Sequence, residues 1–128
     1  MAKPKVLVVD DETDVVEFIT RTLQSEGYDV VCAYDGIGAL DLADSEKPDI
    51  VVLDIMMPMM SGYEVCEQLK SNPQTQNIPI ICVSSAHTPD ARALSLRVGA
   101  SALVVKPFRS AELVAQIKRY LRKEEGEV

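Results

Sequence analysis

"VVLDIMMPMMSG", residues 51–62, sets an acid at the end of an apolar run. Val51, Val52 and Leu53 lead into Asp54, and Ile55, Met56, Met57, Pro58 and Gly62 follow it. An isolated charge taken out of water is costly enough that it normally finds a partner, a metal or a proton. What lies beside Asp54 in space therefore decides what the stretch is for, and that depends on the elements to either side.

Upstream, "KVLVVD" (5–10) is short, nearly all apolar and valine-rich, the form of a strand covered on both faces. Residues 12–26 follow with Val15, Ile19 and Leu23 at helical spacing, ended by Gly27. "YDVVCA" (28–33) reads as a second strand, and the helical "GALDLADSEK" runs up to Pro48, whose ring bars further helix. "DIVVLD" (49–54) is the third strand, and "YEVCEQLKS" a helix with Val65 and Leu69 inward, closed by Asn72 and Pro73. Downstream come a strand "IPIICVS" (78–84), a helix over 88–98 ended by Gly99, and a strand "SALVVK" (101–106). The last helix, "SAELVAQIKRYLRK", is expected to be capped by Ser110, with Leu113, Ile117 and Leu121 as its inner stripe. Strands alternating with helices predict an α/β fold: a doubly wound five-stranded parallel sheet with right-handed crossovers and helices on both faces.

Length and charge narrow the function. A chain of 128 residues, 47% of them hydrophobic, is one domain with one real core. A net charge of -7 and a pI near 4.6 argue against gripping phosphate backbones or anionic membranes directly. No apolar run reaches the roughly 20 residues of a membrane span, and the apolar start is cut short by "DDE", so a cytoplasmic location is expected. Cys32, Cys66 and Cys82 form no C-x-x-C pair and read as small buried hydrophobes.

In open parallel sheets, ligands sit outside the carboxyl ends of the strands. Here those ends are Asp10 and Asp11, Asp54, Ser84 and Lys106. Crowded carboxylates repel unless a cation neutralises them, and hard oxygen ligands suit Mg²⁺. Asp54 is thus a candidate metal ligand and a candidate nucleophile: a carboxylate can attack phosphorus while Mg²⁺ and a lysine neutralise the transferred oxygens. Lys106 suits phosphate as a point charge, and Ser84 is a compact donor.

These residues carry a resemblance. "VVDDE", "VLDIMMPMMSG", "VSSA" and "VVKPF", in this order and spacing, resemble the receiver domain of two-component response regulators, of the chemotaxis single-domain type, over a core of residues 5–122 within one domain, 1–128. The resemblance implies a flavodoxin-like strand order 2-1-3-4-5. It implies Asp54 as phosphoacceptor for a sensor histidine kinase or phosphotransfer protein, and Mg²⁺ held directly by Asp11, Asp54 and the Met56 main-chain carbonyl, with Asp10 acting through water. It places Lys106 and Ser84 on the phosphoryl group, makes the bond before Pro107 cis, and leaves a downstream protein target that the sequence does not name. Such a protein is a switch, not an enzyme in the usual sense: it catalyses only its own phosphorylation and dephosphorylation. The chain reads either as a stand-alone receiver or as one cut before a linker.

The chain departs from the family pattern in two places. Leu103 stands where the family often has an aromatic that turns inward on phosphorylation, so switching is expected to rest on Ser84. Met56 and Ala86 are apolar where fast-dephosphorylating receivers place polar groups, so slow self-dephosphorylation is expected. Taken singly, the motifs have plainer readings. "DDE" would be a helix cap with first-turn acids, the Met cluster loop and core filling, His87 a polar loop residue, and "KRYLRK" (118–123) a wet helix face. Two other functions share the outline. A small-molecule phosphatase of the aspartyl-phosphate type needs Asp-x-Asp after strand one, and a flavodoxin-like flavin binder needs a Ser/Thr/Gly-rich loop there. "DDET" fits neither.

Overall fold

A computed structural model describes residues 3–85 and 89–124. The chain alternates β1 (Lys5–Val9), α1 (Thr13–Ser25), β2 (Asp29–Ala33), α2 (Gly36–Glu46), β3 (Ile50–Asp54), α3 (Gly62–Ser71), β4 (Ile80–Ser84), α4 (Pro89–Arg97), β5 (Ala102–Val105) and α5 (Ser110–Glu124). All strand pairings are parallel, in the order β2-β1-β3-β4-β5. Apolar runs of four or five residues become strands because both faces of the sheet are covered. Residues 50–54 and 80–84 are buried at every position.

Alternation along the strands divides the core in two. Leu7, Val9, Val51, Leu53 and Cys82 pack with Ala39, Val65, Leu69 and Ala91 from α2, α3 and α4. Val6, Val8, Ile50, Val52, Ile81 and Val104 pack with Ile19 and Leu23 of α1 and with Leu113, Ile117 and Leu121 of α5. Each fully buried aliphatic contributes roughly 1.5–3 kcal/mol, so these two layers supply most of the stabilisation. Cys66 and Cys82 lie in the first layer as free thiols, and Cys32 is half-buried on β2. Among the described residues, no helix is long and apolar enough to cross a membrane.

Two local expectations are corrected. On α1 the deep positions are Val16, Ile19 and Leu23, with Val15 only half-buried, because a helix starting at Thr13 turns its i, i+3, i+7 row to the sheet. At the other end, Ser110 is the first residue inside α5 and not its cap. The Arg109 N–H donates to the Glu112 carboxylate at 3.4 Å, and the Arg109 carbonyl accepts from the Leu113 N–H.

Candidate functional site

The same alternation aims the site. Asp10 continues the row of Val6 and Val8, Asp54 that of Ile50 and Val52, and Lys106 that of Val104, so all three project to the side of the sheet that carries α1 and α5. Ser84 continues the row of Ile80 and Cys82 on the other side, fully buried at the end of β4. Its carbonyl accepts from the Lys106 N–H at 2.8 Å, which ties β4 to the chain leaving β5. The peptide bond between Lys106 and Pro107 is cis.

Three carboxylates and one ammonium meet there. Lys106 Nζ lies 3.0 Å from Asp10 Oδ2 and 3.3 Å from Asp54 Oδ1. Asp10 and Asp54 are buried and Asp11 is exposed, yet one carboxylate oxygen from each lies within 4.8 Å of the others. Both oxygens of Asp10 are engaged, one by Lys106 and the other by the Glu12 N–H at 3.0 Å. The acids before α1 therefore are not a conventional cap: Glu12 sits at the cap position with no side-chain hydrogen bond.

The electrostatics follow from that crowding. Burial and the charge of Asp10 push the Asp54 carboxyl up to about 6, against the pull of Lys106. Burial works against the Lys106 ammonium, but its hydrogen bond to Asp10 and the charges of Asp54 and Asp10 outweigh it and raise its pKa.

The loop after Asp54 is drawn tight against the strand end. The Gly62 N–H donates to the Ile55 carbonyl at 2.9 Å, and a Cβ on Gly62 would come within 2.3 Å of the Asp54 carbonyl oxygen, so only glycine lets α3 start this close. The methionines that follow Asp54 divide. Met57 is buried and Met60 partly buried in the core, as filling residues should be, whereas Met56 and Met59 stand out in solvent. The expected loop and core filling divides between them: Met57 and Met60 fill the core, and Met56 and Met59 are exposed loop residues. Leu103 is buried in the layer beside α2, α3 and α4, next to Cys82 in register. Ala86 and His87 lie outside the described residues.

The chain matches the response regulator receiver domain family over residues 6–118, and it belongs to that family. It superposes on the chemotaxis protein CheY4 of Vibrio cholerae with a TM-score of 0.89 and 33% identity, covering 93% of this chain and 99% of that one. A CheY-like receiver domain protein from Methanospirillum hungatei gives 0.91 and 27%, covering 98% of each chain. The signal receiver domain of a signal transduction histidine kinase from Syntrophus aciditrophicus gives 0.87 and 29%, covering 94% of this chain and 91% of that one. Receiver domains are signalling switches, and a phosphorylation switch is the general function of the family.

Proposed function

We propose that the protein takes a phosphoryl group onto Asp54 from a cytoplasmic histidine kinase or phosphotransfer protein, and that the acylphosphate alters which protein it binds. The observation that carries this reading is the sharing of Lys106 between two buried carboxylates at the strand ends, with a third carboxylate alongside. A structural ion pair would need one acid, not three.

The donor set suits a small hard cation. The family resemblance makes Asp11, Asp54 and the Met56 main-chain carbonyl the direct ligands, with Asp10, whose two oxygens already take Lys106 and the Glu12 N–H, acting through water. Mg²⁺ there would supply charge neutralisation for the oxygens of the group in transit. The protein's own groups do the rest. Asp54 presents its carboxylate to phosphorus, and Lys106 holds one phosphoryl oxygen. The hydroxyl of Ser84 moves to a second, taking the start of the following loop with it. Leu103, already in the core, has little further to travel. Met56 offers no polar side chain to orient an attacking water, so the acylphosphate is long-lived.

Acetyl phosphate tests the reading without knowledge of the natural donor. Mg²⁺-dependent, hydroxylamine-sensitive labelling is expected at Asp54 alone, decaying slowly, with folded Asp54→Asn protein unlabelled. Stoichiometric labelling of that variant would overturn it.

A further inference from the structure

The loop between β3 and α3 holds one residue in a costly backbone conformation. The Met60 N–H donates to the Pro58 carbonyl at 2.8 Å, closing a three-residue turn with Met59 at its centre at φ 69°. A turn of this hand is rare and strained for a residue with a side chain, and glycine or asparagine is the usual occupant. The Met59 side chain is as exposed as in an isolated chain (102%), and Met56 is 66% exposed. Strain and apolar exposure coincide in one short loop beside the phosphoacceptor. Such a combination is retained where something else uses it.

The surface extends onto α2. Met60 packs on Gly36 so closely that a Cβ there would lie 2.7 Å from the Met60 sulfur. That contact seats the loop against the start of α2, where Tyr34 and Ile37 are 50% and 65% exposed. Exposed large apolar side chains thus flank this contact in sequence on both elements. Every charged residue in segments 34–37 and 56–64 is acidic, namely Asp35 and Glu64, and Asp11 stands at the mouth of the site nearby.

We propose that Tyr34, Ile37, Met56 and Met59 are a docking pad for a protein partner that presents an amphipathic helix, apolar on one side with lysine or arginine beside it. The acids favour a basic occupant, while a second copy of this chain, itself at -7, and an anionic membrane are both repelled. Flexible, polarizable methionine adapts to helical faces of varied shape. The pad is separate from the groove of about 500 Å³ bordered by Phe18, Pro107 and Phe108 on the α1 side. It requires no phosphorylation of Asp54, so it stands or falls apart from the preceding reading.

The probe is the synthetic helix LKKLLKLLKKLLKL, with LEELLELLEELLEL as its charge-reversed control, followed by nuclear magnetic resonance of methionine methyls and backbone amides. The lysine peptide should shift the methyls of Met56 and Met59 and the amides of Tyr34 and Ile37, and the glutamate peptide should not. Ile37→Asn combined with Met59→Gly should weaken binding about fivefold or more. Met59→Gly alone, which relieves the positive φ and so melts no lower than wild type, should weaken it as well. Shifts centred on Phe18 and Phe108 with the methionines unmoved, equal binding of the glutamate peptide, wild-type affinity in both variants, or preferential binding to phosphatidylserine vesicles would each overturn the proposal.

Discussion

The two ends of the sheet handle charge in opposite ways. At the amino ends of the strands, Lys5 Nζ lies 3.0 Å from Glu46, and the Lys5 backbone N–H donates to Asp49 at 2.7 Å. Each acid there has its own donor, and the side chains of the pair are about one-third exposed. At the carboxyl ends a single ammonium serves two buried carboxylates beside a third. The first arrangement ties β1 to the segment between α2 and β3 and asks nothing further. The second is left short of positive charge, and that shortfall is what the proposed uptake of a cation and a phosphoryl group would relieve.

The comparison breaks most sharply at its lysines. Lys106→Met should destabilise the protein by about 3 kcal/mol in neutral, metal-free buffer, because two buried carboxylates lose their counter-ion. Urea unfolding would measure it, and a loss no larger than that from Lys5→Met would erase the distinction.

Asp54→Asn should act in the opposite sense. A folded-state pKa of about 6 against an ordinary 3.8 means the group's contribution is fully present below pH 4 and lost as pH rises through about 6. At 1.36 kcal/mol per unit the ceiling is about 3 kcal/mol, with the attraction to Lys106 already counted in the value of about 6, and solvent screening at the open rim reduces the expected gain to about 2 kcal/mol at pH 7.5 in EDTA. Stability measured from pH 4 to pH 7.5 should fall in wild type relative to the variant. Parallel curves would mean that the carboxyl is not strained by its neighbours.

Mg²⁺ at about tenfold its dissociation constant should add about 1.4 kcal/mol to wild type. Asp11→Ala, which removes both a ligand and a repelling charge, should be no less stable in EDTA and should gain little from Mg²⁺. Melting curves at matched ionic strength decide this, and an equal gain in the variant would show that Asp11 is not a ligand. The smallest effect belongs to the other rim, where Lys5→Met should cost less than about 1 kcal/mol, since exposed pairs contribute little.

Much of this asymmetry is legible in the amino-acid sequence. The apolar runs and the residues that stop them gave the strands and helices within a few residues of their ends, and with them the rim on which Asp10, Asp11, Asp54 and Lys106 gather, with Ser84 closing β4 on the other side of the sheet. Hydrophobic spacing was less reliable at the start of α1, where Val15 and Val16 are equally apolar and only the true first turn separates them. The commitment of both Asp10 oxygens was not legible either, because it depends on where the Lys106 side chain rests and on the backbone ahead of α1. Nor was the turn at Met59. A methionine gives no signal for positive φ, and the closing hydrogen bond is made by its neighbours.

The pairing of Asp10 with Lys106 spans 96 positions of sequence. No segment shorter than nearly the whole domain can hold both groups, so the site cannot exist on a nascent chain that has yet to release β5, nor on one from which β5 has peeled away. On the proposed function, competence to receive a signal would require completion of the sheet. A partly made or partly unfolded copy would then be silent and would not compete with intact copies for the phosphoryl supply.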